Sequence, residues 1–180
     1  ALKSVGVNRG DEVITQAFNF VATIEAIIDC GAKPVICGID ENLHMDLNDL
    51  QKKISRKTKA VILVHMLGLG GPVGNIPEIK KKYNLPIIED NCEAIGGKFN
   101  NNFLGNYGDI GVMSFDHGKM IACGEGGMIM TNNKVYGKFL SQYCDHGHEN
   151  NQKFNRYVFF SFFINSKIFG LSFILFIFLT

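Results

Sequence analysis

The sequence SFDHGKMIACGEGG, residues 114–127, places one lysine in a short polar stretch between two apolar segments. The flanking segments, Ile110–Phe115 and Met128–Thr131, lie next to glycines, a pattern that predicts two short buried strands. A lysine in the turn between such strands is partly withdrawn from water, and desolvation favours a neutral, nucleophilic amine. Lys119 is therefore a candidate nucleophile, and the alternative is a surface turn that happens to contain a lysine.

A second stretch, LPIIEDNCEA at residues 85–94, is a short apolar strand that ends in the carboxylate of Asp90. In open α/β sheets, ligands bind beyond the carboxyl ends of the strands. A lysine that can form a Schiff base and an aspartate that can hold a pyridinium nitrogen are the pair that pyridoxal phosphate chemistry requires. The alternative for Asp90 is an N-cap for the segment that follows it.

Short apolar segments alternate with helical stretches along the rest of the chain. The predicted strands are Glu12–Thr15, Lys33–Cys37 and Lys59–His65. The predicted helices run from Phe20 to Cys30, from an Asp46 N-cap to about Ile54, and from a capping box of Asn75 and Glu78 to Tyr83. The buried face of the first helix is predicted to hold Ile24, Ile27 and Ile28. This alternation predicts an α/β fold with a mostly parallel sheet.

The order of the motifs resembles the DegT/DnrJ/StrS family of pyridoxal-phosphate-dependent sugar aminotransferases, which have the type I (aspartate aminotransferase-like) fold. The matching pieces are GDEVI at 10–14, FNFVAT at 18–23, GAKPV at 31–35, TKAVILVH at 58–65, IED at 88–90, GD at 108–109, SF at 114–115, Lys119, and GEGG at 124–127. The resemblance covers about residues 3–150. It implies a partial cofactor-binding large domain at residues 1–150, truncated at both ends, with a mostly parallel sheet sandwiched by helices.

The same resemblance implies roles for individual residues. Lys119 would form the Schiff base with pyridoxal 5'-phosphate and, once released, move a proton as general base and then acid. Asp90 would hold the pyridine nitrogen, Phe20 would stack on the ring, and Ser114 would bind the phosphate. Phe18 is the rival for stacking, and core packing is the alternative for either phenylalanine. The alternative for Ser114 is a hydrogen bond to its own backbone.

Glu93 departs from the family pattern, which usually has a glutamine there, near the ring hydroxyl of the cofactor. A carboxylate at this position would repel the ionised ring hydroxyl (phenolate) of the cofactor, be protonated itself, or turn away from the cofactor. A dehydratase branch of the family replaces the lysine with histidine, so the presence of Lys119 favours transamination.

The function implied by the resemblance is transfer of an amino group to a nucleotide-linked keto-sugar, with glutamate or glutamine as donor, in a cytoplasmic homodimer. The other classes considered are a non-catalytic α/β fragment, a membrane-tethered remnant, and a nucleotide-binding module, whose G-x-G-x-x-G fingerprint is missing. The family's phosphate loop and its partner-subunit asparagine would both lie outside residues 1–150. The isolated chain is therefore expected to be inactive.

Composition limits the possible partners. The net charge of +1 gives no indication of a nucleic-acid partner. The five cysteines lack C-x-x-C spacing, which argues against a disulfide framework or zinc site and suits a reducing cytoplasm. No metal is expected at Asp145–Glu149, because its two histidines, two residues apart, cannot face one site from a helix. His65, at a strand end, is predicted to be a core or supporting residue.

Residues 151–180 form an apolar tail that matches none of the family motifs. Val158–Thr180 contains eight of the fifteen phenylalanines, and its only charge is Lys167. Its length allows a membrane span, but a charge near the middle is costly and no basic cluster flanks the segment. The composition is typical of AT-rich DNA read out of frame. The tail is therefore predicted to be an out-of-frame or mis-assembled end without an evolved partner on the sheet.

Overall fold

The computed structural model describes residues 1–144, 159–166 and 171–178. The strands are β1 (Glu12–Gln16), β2 (Lys33–Cys37), β3 (Thr58–Val64), β4 (Ile87–Asp90), β5 (Lys98–Phe99), β6 (Asn102–Phe103), β7 (Ile110–Ser114), β8 (Gly127–Met130), β9 (Phe159–Ser166) and β10 (Leu171–Phe178). One sheet has the order β2-β1-β3-β4-β7-β8-β10-β9, and β5 pairs with β6 in a separate ribbon. Pairing is parallel from β2 to β7 and antiparallel from there on. The predicted, mostly parallel sheet is confirmed.

Helices cover both faces of this sheet. Within the described residues they are α1 (Val21–Asp29), α2 (Leu47–Lys53), α3 (Ile76–Tyr83) and α4 (Lys134–Cys144). Ile27 of α1 and Leu140 of α4 belong to one core, whereas Leu50 of α2 and Ile79 of α3 belong to the other. Alternate residues of β3 enter the two cores, as expected of a central strand buried on both faces. The predicted sandwich of a sheet between helices is thus confirmed.

Two details of the predicted helices are wrong. Ile28 is 55% exposed, because the core side of α1 runs through Thr23 and Ile27, four residues apart. The side chain of Asn75 makes no capping hydrogen bond, because Asn75 ends a 3-10 turn and already has helical backbone angles. By contrast, Asp46 caps α2 as predicted, with its carboxylate accepting two backbone N–H groups.

The carboxyl ends of β3, β4 and β7 lie side by side at one edge of the sheet. Val64 is paired with Asp90, and Asp90 with Val112. Strand β7 continues to Ser114, and the chain then turns back through Lys119 into the antiparallel β8. The topology therefore brings the turn that carries Lys119 to the edge where Asp90 ends its strand.

The last two strands lie within the apolar tail. Strand β10 pairs antiparallel with both β8 and β9, so this part of the tail is paired with the sheet. The out-of-frame origin of the tail stays a prediction. No helix in the described part of the chain is long and apolar enough to cross a membrane.

Candidate active site

Lys119 lies in the turn between β7 and β8. Its backbone N–H donates to the Asp116 carbonyl (3.0 Å), and the Gly118 N–H donates to the Asp116 carboxylate (3.2 Å), so the turn is held locally. The Lys119 side chain is 17% exposed, and its Nζ lies 3.5 Å from Glu93 Oε1 and 5.4 Å from the centroid of the Phe20 ring. The amine therefore lies between an anion and an aromatic ring, unlike the solvated lysine of a surface turn.

Asp90 is held through both of its carboxylate oxygens. The Thr23 hydroxyl, on α1, donates to Oδ2 (2.7 Å), and the Cys92 N–H donates to Oδ1 (3.2 Å). The bond from the Cys92 N–H is the local contact expected of a cap. The bond from Thr23 comes from a helix on the face of the sheet. Because a carboxylate offers about four acceptor positions, Asp90 keeps capacity for a further donor such as a ring N–H.

Thr23 is the site residue that sequence reasoning missed. It is buried on the core side of α1, where its hydroxyl reaches Asp90. A buried hydroxyl is costly unless it is hydrogen-bonded. The sequence did contain an indication of this role. Thr23 lies four residues before Ile27, on the apolar face of an amphipathic helix, and a hydroxyl there needs a polar partner on the sheet.

Replacing Thr23 by valine is expected to lower the free energy of unfolding by about 1.5–3 kcal/mol, the usual contribution of a hydrogen bond to a charged group. Valine keeps the branched shape but leaves one oxygen of Asp90 without its donor. Thr23→Ser, which keeps the hydroxyl, is the matched control. Urea unfolding followed by circular dichroism measures the difference, and a serine variant as unstable as the valine variant would contradict this account.

Phe20 lies beside the Lys119 amine, and Ser114 ends the strand that leads into the lysine turn. Phe20 is the N-cap residue of α1 and is 56% exposed, so ordinary core packing does not describe it. Phe18 is less exposed. The Ser114 Oγ accepts a hydrogen bond from the Asp116 N–H (3.3 Å), which is the backbone contact given as its alternative. The stacking and phosphate-binding roles stay predictions.

Glu93 contacts both the lysine turn and the segment after β3, and its relation to the ring hydroxyl of the cofactor stays a prediction. Its Oε2 accepts a hydrogen bond from the Leu67 N–H (3.0 Å), while its Oε1 faces Lys119. Leu67 has a φ of 54°, in the left-handed region that few residues other than glycine adopt. The Glu93 carboxylate thus joins the lysine turn to a strained segment that follows β3.

Cys92 lies where two cavities meet. One cavity, of about 340 Å³, is lined mainly by apolar side chains together with Thr23 and Asp90, and the other, of about 200 Å³, is lined in part by Glu93 and Lys119. Burial and then the Asp90 charge raise the pKa of the Cys92 thiol, while the Lys119 charge acts in the opposite direction. The thiol therefore stays neutral at physiological pH, and the charges of Asp90 and Lys119 both reach it.

This arrangement fits pyridoxal phosphate. A shielded amine can bind its carbonyl carbon, and a carboxylate with spare acceptor capacity can hold its ring nitrogen. An exposed aromatic ring beside the amine offers a stacking surface, and the hydroxyl at the end of β7 offers a donor for phosphate.

The charged groups of the turn give no reason to assign a metal. Asp116, His117 and Glu125 have possible ligand atoms within 4.8 Å of one another. However, the Asp116 carboxylate already accepts from the Gly118 N–H and contacts His117 Nδ1 at 2.8 Å. The run Asp145–Glu149 lies outside the described residues, so the prediction made for it is unchanged.

Proteins of known structure share this fold. The fold is that of the large-domain sheet of type I pyridoxal-phosphate aminotransferases. An aminotransferase from Psychrobacter cryohalolentis superposes with a TM-score of 0.78 and 30% identity, over 87% of this chain and 42% of that chain. The model of the DegT/DnrJ/EryC1/StrS aminotransferase family matches residues 1–172. The chain belongs to this family. The match extends past the boundary predicted at residue 150, and that boundary stays a prediction.

Two relatives show the range of functions among similar proteins. The GDP-perosamine synthase of Vibrio cholerae is 38% identical over 136 residues, which is 75% of this chain and 37% of the relative. The UDP-N-acetyl-3-dehydro-alpha-D-glucosamine 3-aminotransferase of Acidithiobacillus ferrooxidans is 37% identical over 149 residues, 82% of this chain and 40% of the relative. The chain thus spans 37–40% of the length of these relatives.

Proposed function

We propose that this chain forms the cofactor-binding part of a pyridoxal-phosphate-dependent aminotransferase that acts on a nucleotide-linked keto-sugar, with glutamate or glutamine as amino donor. The names of the two relatives, which refer to GDP- and UDP-linked sugars, support the substrate class. The observation that carries the proposal is that Asp90 and Lys119 line two cavities that share Cys92, at the carboxyl edge of a mostly parallel sheet.

Each residue has a distinct task in this proposal. Bound pyridoxal phosphate supplies a ring that withdraws electrons from the substrate carbon. Asp90 keeps the ring nitrogen protonated, because an adjacent carboxylate raises the pKa of a cationic partner by about 1–3 units. Lys119 holds the cofactor through Nζ and carries a proton on the same atom as general base and acid. Phe20 covers the ring face and Ser114 binds the phosphate.

We further propose that the whole protein is a cytoplasmic homodimer. Several large apolar side chains at the edge of the site are exposed by 56–76%, and a second copy would cover them: Phe20, Leu67, Met120 and Ile121. No cysteine of the described residues forms a disulfide, which suits a reducing compartment.

The proposal is tested on the protein expressed at its natural length. The protein is incubated with pyridoxal phosphate, L-glutamate or L-glutamine, and GDP- and UDP-linked keto-sugars, and products are identified by mass spectrometry. We expect an amino sugar and the oxo acid of the donor in equal amounts. A dehydrated sugar without amine would identify the dehydratase branch instead, and binding without any product would favour a non-catalytic protein. Residues 1–180 expressed alone are expected to bind the cofactor weakly and to form no product.

Replacing Glu93 by glutamine is expected to leave cofactor affinity unchanged or to raise it by up to about 5-fold, the range for removing a partly exposed charge pair. The amide can still accept the Leu67 N–H, while the negative charge 3.5 Å from Lys119 Nζ is gone. The control is Glu78→Gln, on the exposed side of α3. Titration with pyridoxal phosphate measures the affinity, and a large loss would mean that the carboxylate has a specific role.

A further inference from the structure

A buried pair, His65 and Glu89, lies beside the site but has no task in the proposed chemistry. Both side chains are fully buried, and His65 Nε2 lies 2.9 Å from Glu89 Oε2. The Gly71 N–H donates to His65 Nδ1 (3.0 Å). Because Nδ1 is an acceptor, the imidazole proton is on Nε2 and is donated to the carboxylate. His65 is therefore neutral and Glu89 is the anion.

Backbone N–H groups stabilise the Glu89 charge. Its Oε2 also accepts from Gly105 (2.8 Å), and its Oε1 accepts from Tyr107 (2.6 Å) and Gly108 (2.5 Å). Together with His65, these donors fill the four acceptor positions of a carboxylate, which is how a buried charge is tolerated. The close approach of this loop requires glycine, since a Cβ on Gly108 would lie 2.6 Å from a backbone oxygen of β4.

The same pair holds the segment that follows β3. The His65 N–H donates to the Asp90 carbonyl (2.9 Å), which fixes the first end of this segment on β4. The imidazole binds Gly71, which fixes the other end. Between them, Leu67 keeps its strained φ of 54° and donates its N–H to Glu93. A residue persists in this conformation only where its surroundings over-determine it.

We infer that the His65–Glu89 pair positions Asp90 and Lys119 in the candidate site, an inference that rests on the proposed function. The backbone of His65 fixes the end of β4 at Asp90. Its side chain, oriented by Glu89, fixes the Leu67 segment and hence Glu93, the ion-pair partner of Lys119. The two are positioning residues, since neither contacts the atoms that react.

The first test removes the charge of Glu89 but keeps its shape. In Glu89→Gln, only one of the two oxygens remains an acceptor, and His65 cannot change tautomer because Nδ1 must accept from Gly71. The natural-length protein, without added cofactor, is treated for reductive methylation, and each lysine is quantified by mass spectrometry. We expect Lys119 to react about 2- to 5-fold faster than in the wild type, the range for losing a partly exposed ion pair.

Asp109→Asn is the matched control, because Asp109 holds the opposite end of β4. Its Oδ2 accepts from the Ile87 N–H (2.8 Å) and its Oδ1 pairs with Lys80 (2.6 Å). This variant is expected to be less stable, with an unchanged rate at Lys119. The same acceleration in both variants, or none in a folded Glu89→Gln protein, would overturn the inference.

Two further measurements keep the inference testable whatever the stability of the first variant. In Glu89→Asp the charge is kept, but the shorter carboxylate cannot reach all four donors, so faster labelling of Lys119 is again expected and an unchanged rate would overturn the inference. In the wild type, ¹⁵N NMR is expected to show the His65 proton on Nε2, and a proton on Nδ1 would overturn it too. Failure to bind pyridoxal phosphate would instead refute the proposed function and leave these comparisons intact.

Discussion

Replacing Lys119 by alanine is expected to abolish amino-group transfer by the natural-length protein. The loss of a general acid–base alone lowers a rate by about 10²–10⁴-fold, and the covalent attachment of the cofactor is lost as well. The fold should be retained, because the side chain lies in a turn and is not part of either hydrophobic core. Initial rates of 2-oxo acid formation from the amino donor measure the effect.

Covalent attachment gives a direct check on the same prediction. After borohydride reduction of the wild type with pyridoxal phosphate, peptide mapping is expected to find the pyridoxyl group on Lys119. Lys52→Ala, at an exposed position of α2, is the control and should keep both the label and the activity. A pyridoxyl group on another lysine, with Lys119 unmodified, would refute the assignment.

Replacing Asp90 by asparagine is expected to lower turnover by about 10- to 1000-fold, which corresponds to losing a pKa shift of 1–3 units at the ring nitrogen. Folding and cofactor binding should survive. The asparagine oxygen can still accept the Cys92 N–H, and its amide can donate to the Thr23 hydroxyl, which accepts as well as donates. Turnover and cofactor affinity are measured in separate assays, so that a slower reaction can be distinguished from weaker cofactor binding.

Asp46→Asn is the matched control for this substitution. Asp46 is an N-cap, and asparagine caps a helix about as well as aspartate does, so its replacement should change neither stability nor turnover. If Asp90 were only a cap, Asp90→Asn would behave in the same way. Near-normal turnover in Asp90→Asn would therefore reduce Asp90 to a structural residue.

Strand positions were predictable from the sequence because each strand is a short apolar run bounded by turn residues. The limits of β2 agree with the prediction, and β3 begins one residue earlier than predicted. The same local patterns gave the strand end at Asp90 and the turn at Lys119. The Asn75 capping box failed because the preceding residues form a 3-10 turn, which the cap pattern alone does not reveal.

Contacts between distant segments were not predictable in this way. The approach of Glu93 to Lys119 accompanies a left-handed conformation at Leu67, which nothing in the preferences of leucine indicates. The pairing of His65 with Glu89 depends on the register of β3 against β4. A pattern read along one segment carries no information on either feature.

The hydrogen bond between Thr23 and Asp90 joins residues 67 positions apart in the chain. Contacts of such large sequence separation slow folding, because the intervening loop must close before they contribute. The site is thus complete only when α1 is docked against β4. A ligand that binds the native state and not the unfolded state stabilises the native state. Pyridoxine supplied during expression should therefore raise the yield of native protein.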